Sequence, residues 1–200
     1  MKIISRYNED CCRTVHPLGK DFEGLRANGT FHLPIDSPFV LSSSKQERGI
    51  RCNPKTPPMD LRSQFPRSVR EKLGGYVHLA RMIDKCRAKH VGMLGEYIFP
   101  CPMDQRLLDF SGISGDAFLE AVNSQTDDEI LHWVQSTTLP HTPQEIEDWN
   151  TTLLHRGPDT EEKREYFEKI RDSIDPTRTD ITTWADLLDL DEGRIVSLRM

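Results

Sequence analysis

No stretch of the chain approaches the roughly eighteen consecutive apolar residues of a membrane-spanning helix. The opening MKIISRYNEDCC is broken by charge within six residues and lacks the apolar core of a secretory signal, so a cytoplasmic, reducing compartment is expected. Cysteine is sparse: Cys11, Cys12, Cys52, Cys86 and Cys101 are odd in number, irregular in spacing and include no C-x-x-C pair. Neither a disulfide framework nor a structural zinc site is supported, and no metal and no cofactor is expected. A basic excess is missing too. The 26 Lys/Arg stand against 32 Asp/Glu, for a net charge of −6, which disfavours a general nucleic-acid binder.

The charge that is present is unevenly placed. Residues 1–58 carry nine Lys/Arg and six Asp/Glu, and residues 59–200 carry seventeen and twenty-six, so the acidity belongs to the C-terminal part. The first segment also holds six of the 13 prolines and the run LSSSKQERG, without a sustained period of 3.6 or 2. It reads as an irregular Pro/Ser-rich extension. Met59 follows KTPP and stands where a shorter reading frame would begin, so an over-extended start is one expectation for residues 1–58 beside a native irregular extension.

Residues 59–200 read as a helical domain. SVRE (Ser68, Glu71) has the form of a capping box and predicts a long helix to about Lys89. TDDE (Thr126, Glu129) and TPQE (Thr142, Glu145) predict two more, the second with Pro143 at its first position. DTEE starts a helix carrying Tyr166, Phe167, Ile170 and Ile174, and DITTWADLLDLDEG another with Gly193 as its stop. Shorter helices fit Asp104–Phe110, with Asp104 as cap, and Ser114–Asn123. No paired strands with hairpin turns are seen. The expected fold is all-α, a compact bundle of about six or seven short helices around the long 71–92 helix.

On a helical wheel, Tyr76, Val77, Leu79, Ala80, Met82, Ile83 and Cys86 spread over an apolar arc of roughly 220°. His78, Arg81, Lys85 and Lys89 fall together in the remaining wedge, which reads first as a solvated stripe and second as a basic strip meeting an anion. Asp84 and Arg87 lie inside the apolar arc three residues apart, so an ion pair between them is expected. Gly74–Gly75 is unfavourable in a helix and calls for a close backbone neighbour, a kink or a late helix start. The connection VGMLGEYIFPCPMDQRLL places Cys101 between two prolines, more simply an inert thiol than a reactive one.

FPRSVREKLGGYVHLARMIDKCRAKHVGMLGEYIFPCPMDQRLLDFSGI and RTDITTWADLLDLDEGR resemble the signature blocks of a bacterial family of unknown function, the domain-of-unknown-function group numbered 5069. The resemblance runs from about Met59 to Arg194 and implies a relative rather than an activity. His78, Arg81, Asp84, Lys85, Arg87, Glu96, Tyr97, Cys101, Asp104, Arg178, Thr179, Asp180 and Trp184 match its motifs, and Cys86 departs from them.

Two functions follow as expectations. In the first, a small anionic metabolite sits beside the 71–92 helix among His78, Arg81, Asp84, Lys85, Arg87, Glu96, Tyr97 and Cys101. Arg and Lys would hold its carboxylate or phosphate, His78 would serve as base, and RTDITTW would close over it. No nucleophile–base pair is identifiable, so neither a reaction class nor a catalytic residue is assigned. In the second, the chain is a non-catalytic helical module for a protein partner, with DLLDLDEG docking in a basic, apolar groove. That segment reads equally as the last amphipathic helix of the bundle.

Overall fold

The computed structural model describes residues 57–138, 140–194 and 196, so the irregular extension expected over residues 1–58 lies almost wholly outside them. Among the described residues there are seven α-helices and no strand: α1 Leu79–His90, α2 Pro102–Ser111, α3 Gly115–Val122, α4 Asp127–Thr137, α5 Pro143–Leu154, α6 Glu161–Ile174 and α7 Trp184–Asp191. None of these helices is long and apolar enough to cross a membrane. The all-α expectation holds.

Local chemistry explains most helix starts. Thr126 and Thr142 each accept the N–H three residues on, while Glu129 and Glu145 reach back to the cap N–H, so both capping boxes form as the sequence predicts. Ser114, Thr160 and Thr183 cap α3, α6 and α7 in the same way without the reciprocal glutamate. Asp104 is not itself a cap. It stands at the third position of α2 and accepts the Cys101 N–H at 2.7 Å, with Cys101 at the N-cap and Pro102 following.

The long helix predicted from Ser68 does not form; α1 begins only at Leu79. Gly74 and Gly75 have φ of 58° and 93°, and Leu73 and Tyr76 exchange backbone hydrogen bonds across them at 3.0 and 3.1 Å. Two successive residues at positive φ make a tight reversal that only glycine adopts cheaply. Gly74 also lets Leu131 approach, since a Cβ there would lie 2.2 Å from Leu131 Cδ1. Ser68 caps nothing in α1, and its hydroxyl donates instead to Asp189 at 2.9 Å.

Two apolar clusters hold the helices. The larger gathers α1 through Leu79, Met82, Ile83 and Cys86, α2 through Leu107 and Leu108, α3 through Phe118 and Val122, and α4 through Ile130 and Val134. The smaller joins α6 to α7 through Phe167, Ile170, Ile181 and Leu187, with Trp184 edge-on to Phe167 at 5.0 Å. Each such side chain contributes about 1.5–3 kcal/mol on full burial. Ion pairs tie Arg70 to α7 and Arg81 of α1 to Glu192 just after it, and this part of the fold carries the candidate site.

Candidate functional site

Every residue from Leu79 to Ala88 is buried, and Arg81, Asp84, Lys85 and Arg87 are among them. The solvated stripe expected of His78, Arg81, Lys85 and Lys89 is therefore corrected, because only Lys89 is exposed. The wheel assumed that charge faces water. Here the chain before α1, the connection to α2 and the end of α7 all cover the helix, and each brings a partner.

His78 precedes α1 at φ 67°, the one non-glycine described residue with positive φ, and has no solvent exposure. Its N–H bonds the Val69 carbonyl at 2.9 Å and its carbonyl accepts the Met82 N–H at 3.0 Å, which fixes the backbone on both sides. Its Nε2 lies 2.8 Å from Asp104 Oδ1. The other carboxylate oxygen of Asp104 accepts Lys85 Nζ at 2.5 Å and the Cys101 N–H. Lys85 Nζ further contacts Cys101 Sγ at 3.2 Å and the Ile98 carbonyl at 3.3 Å.

The charge states follow from these contacts. Burial alone would raise the Asp104 carboxyl, but Lys85, the His78 ring and the Cys101 N–H outweigh it and hold the group well below the usual carboxylate range. Burial lowers His78 more than Asp104 raises it, and Lys85 and Arg81 add to the lowering, so the ring is neutral at neutral pH. Burial acts likewise against the Lys85 ammonium, yet Asp104 keeps it above its ordinary value. The Cys101 thiol is pushed up by burial and by Asp104 against the pull of Lys85, and stays protonated. With Asp104 ionised, the neutral ring donates Nε2–H to it, and Nδ1 is left as a bare acceptor. That nitrogen is buried and has no hydrogen-bond partner.

His78, Cys101 and Asp104 bring one donor atom each within 4.8 Å of one another, a set that suits a soft divalent cation. Lys85 Nζ is already bonded to two of the three, so the cation this cluster is built around is an ammonium.

A second node lies on Glu192, which Arg81 holds in a two-pronged pair at 2.5 and 3.0 Å. Tyr97 donates its hydroxyl to the same carboxylate at 2.7 Å, Arg194 pairs with it as well, and the Arg81 guanidinium lies 5.5 Å from the centre of the Tyr97 ring. Burial pushes the Tyr97 phenol up to about 12, so it acts as a donor.

The expected Asp84–Arg87 pair is not formed. Asp84 is gripped by Arg67 through Nε at 2.9 Å, Nη2 at 2.8 Å and the backbone N–H at 2.9 Å, while Arg87 reaches Asp127 at 2.6 Å and the Gln125 carbonyl at 2.9 Å. Arg67 also contacts Asp127 at 2.6 Å, so the two charges belong to one four-membered network closed by residues outside α1. Arg70 adds a further node with Asp186 and Asp189.

Of the residues singled out from sequence, His78, Lys85 and Cys101 come together around Asp104, and Arg81 and Tyr97 around Glu192. Asp84 and Arg87 sit with Arg67 and Asp127, and Glu96 lies exposed in the connection between α1 and α2. RTDITTW does not close over the site. Ile181 and Trp184 pack in the α6–α7 cluster, and the chain from Asp186 to Arg194 is what meets Pro66, Ser68, Arg70 and Arg81. The sequence reading missed Arg67, Arg70, Asp186, Asp189, Glu192 and Arg194 as members of this network. A signal existed: Asp186 and Asp189 on α7 and Glu192 just after it recur every third residue, and all three are buried.

The fold and site define a small helical domain whose central helix is sheathed in buried ion pairs. The chain matches, over residues 63–194, the family described as Domain of unknown function (DUF5069), and it belongs to that family. No curated protein matches it.

Proposed function

We propose that the domain binds a small polar molecule at the His78–Asp104–Lys85–Cys101 cluster, beneath the connection that joins α1 to α2. One observation carries this reading: a fully buried histidine has one ring nitrogen fixed by a carboxylate and the other without a partner. A buried polar atom left unpaired costs about 1–3 kcal/mol, and a non-glycine residue at positive φ costs a similar amount. Such costs concentrate where a protein binds or reacts. The occupant brings a hydrogen-bond donor to Nδ1. Lys85 is balanced by Asp104 and Arg81 by Glu192, which favours a neutral polar ligand over the anion that the sequence alone suggests. If chemistry follows binding, the neutral imidazole oriented by Asp104 is the group placed to take a proton.

Thermal-shift screening of small hydroxylated and amide compounds, with carboxylates and phosphates as a comparison set, tests the reading. A ligand at 100 times its Kd stabilises by about 2.7 kcal/mol, and the shift disappears in His78→Phe. Shifts produced only by the anions, or equal shifts in His78→Phe, would remove it.

A second reading, an interaction module, is favoured by one surface feature. A cleft of about 850 Å³ along α4 is lined by Gln125, Asp128, Glu129, His132, Trp133 and two serines. Its lining is acidic and includes an indole, which suits a basic, partly apolar segment of a partner.

A further inference from the structure

We propose that Lys85 and Cys101 are a modification site, joined by a sulfur–nitrogen bond when a small peroxide oxidises the thiol. The inference goes beyond ligand binding and holds whether or not a molecule occupies the space beside His78. Its basis is a contact between a thiol and an amine side chain: Lys85 Nζ lies 3.2 Å from Cys101 Sγ. One carboxylate oxygen fixes both partners, since Asp104 Oδ2 accepts Lys85 Nζ at 2.5 Å and the Cys101 backbone N–H at 2.7 Å. Cys101 is a half-buried residue, whereas Cys86 is fully buried. The imidazole of His78 belongs to the same cluster, one of its ring nitrogens lying within 4.8 Å of Cys101 Sγ.

The chemistry balances with one equivalent of peroxide. Sulfur attacks a peroxide oxygen, the O–O bond breaks, and sulfenic acid forms while the thiol proton leaves with the second oxygen as water. A sulfenic acid condenses with a nearby thiol or nitrogen, and the neighbour here is an amine. Lys85 gives one ammonium proton to Asp104 Oδ2, 2.5 Å away, and its nitrogen attacks the sulfenic sulfur. The S–O bond breaks, and hydroxide departs with a proton from nitrogen as a second water. The net change is a two-electron oxidation that removes one hydrogen from sulfur and one from nitrogen, and a thiol reverses it. The product staples α1 to the first residue before α2.

The test treats the full chain with hydrogen peroxide and follows intact mass and tryptic peptides. The expected product is lighter than the reduced protein by two hydrogens, contains a linked Lys85–Cys101 peptide, and reverts with dithiothreitol. Cys101→Ser and Lys85→Arg abolish the link, and in Lys85→Arg, which keeps a cation beside Asp104, Cys101 gains oxygen instead. Oxygen addition alone in the wild type, or a disulfide from Cys101 to Cys11, Cys12 or Cys52, overturns the proposal. The wild-type peptide map decides the matter even if Lys85→Arg fails to fold.

Discussion

Asp104→Asn is the sharpest perturbation of this fold, because one fully buried carboxylate holds three donors. It accepts from the His78 ring at 2.8 Å, Lys85 at 2.5 Å and the Cys101 N–H at 2.7 Å. The amide keeps the volume but removes the charge, and it must turn its NH2 toward either the Lys85 ammonium or the His78 Nε2–H. Removing one partner of a buried pair costs about 3–5 kcal/mol, since the remaining charge stays out of water. Against a total stability of about 5–15 kcal/mol, that is a large share. Urea unfolding is expected to show a lower midpoint with an unchanged slope. Lys85→Met added to Asp104→Asn removes the stranded ammonium and is expected to recover most of the loss. A cost under about 1 kcal/mol for Asp104→Asn, or no recovery in the double variant, would refute the pairing on which the site is built.

The same groups set the pH dependence, and the sign is fixed by direction. Asp104 titrates lower folded than unfolded, so its contribution is complete above the unfolded value of about 3.9 and fades as pH falls toward the folded one. His78 is also lowered on folding, so stability begins to fall once pH drops below its unfolded value of about 6.5. Stability measured from pH 8 to 5 is expected to decline in the wild type and to decline less in His78→Gln. Double-mutant cycles test the corrected pairing: Asp84→Asn with Arg67→Met is expected to couple by about 1 kcal/mol or more, and Asp84→Asn with Arg87→Met to couple more weakly. Gly74→Ala combines a positive φ with a Cβ pressed on Leu131, while Gly92→Ala meets nothing within 4 Å. Thermal unfolding is expected to show a cost of about 1–2 kcal/mol for strain alone at Gly92 and about 1–3 kcal/mol more at Gly74.

The parts of this fold that are legible in sequence are the local ones. Thr126 with Glu129, and Thr142 with Glu145, lie within one turn of each other, and their capping boxes depend on nothing else. The start of α1 misled because Ser68 and Glu71 have the right spacing while Gly74–Gly75 override it, forming a reversal that the glycines themselves signal. The buried charges are a different problem. A wheel places Arg81 and Lys85 by angle, but whether that angle faces water depends on carboxylates elsewhere. Glu192 lies 111 residues from Arg81, and Asp127 lies 60 from Arg67. Spacing cannot assign partners at such range. Asp84 and Arg87 show the consequence, for both are buried at core positions as the wheel implies, and each is satisfied by a residue outside the helix.

Nitrogen-15 NMR of the His78 ring reads the tautomer and the free nitrogen at once. The ring is expected to be neutral throughout the neutral range, protonated on Nε2 toward Asp104, with Nδ1 showing the shift of an unprotonated acceptor that moves when a ligand binds. A ring protonated on Nδ1, or one that titrates at the ordinary histidine value, would contradict that expectation.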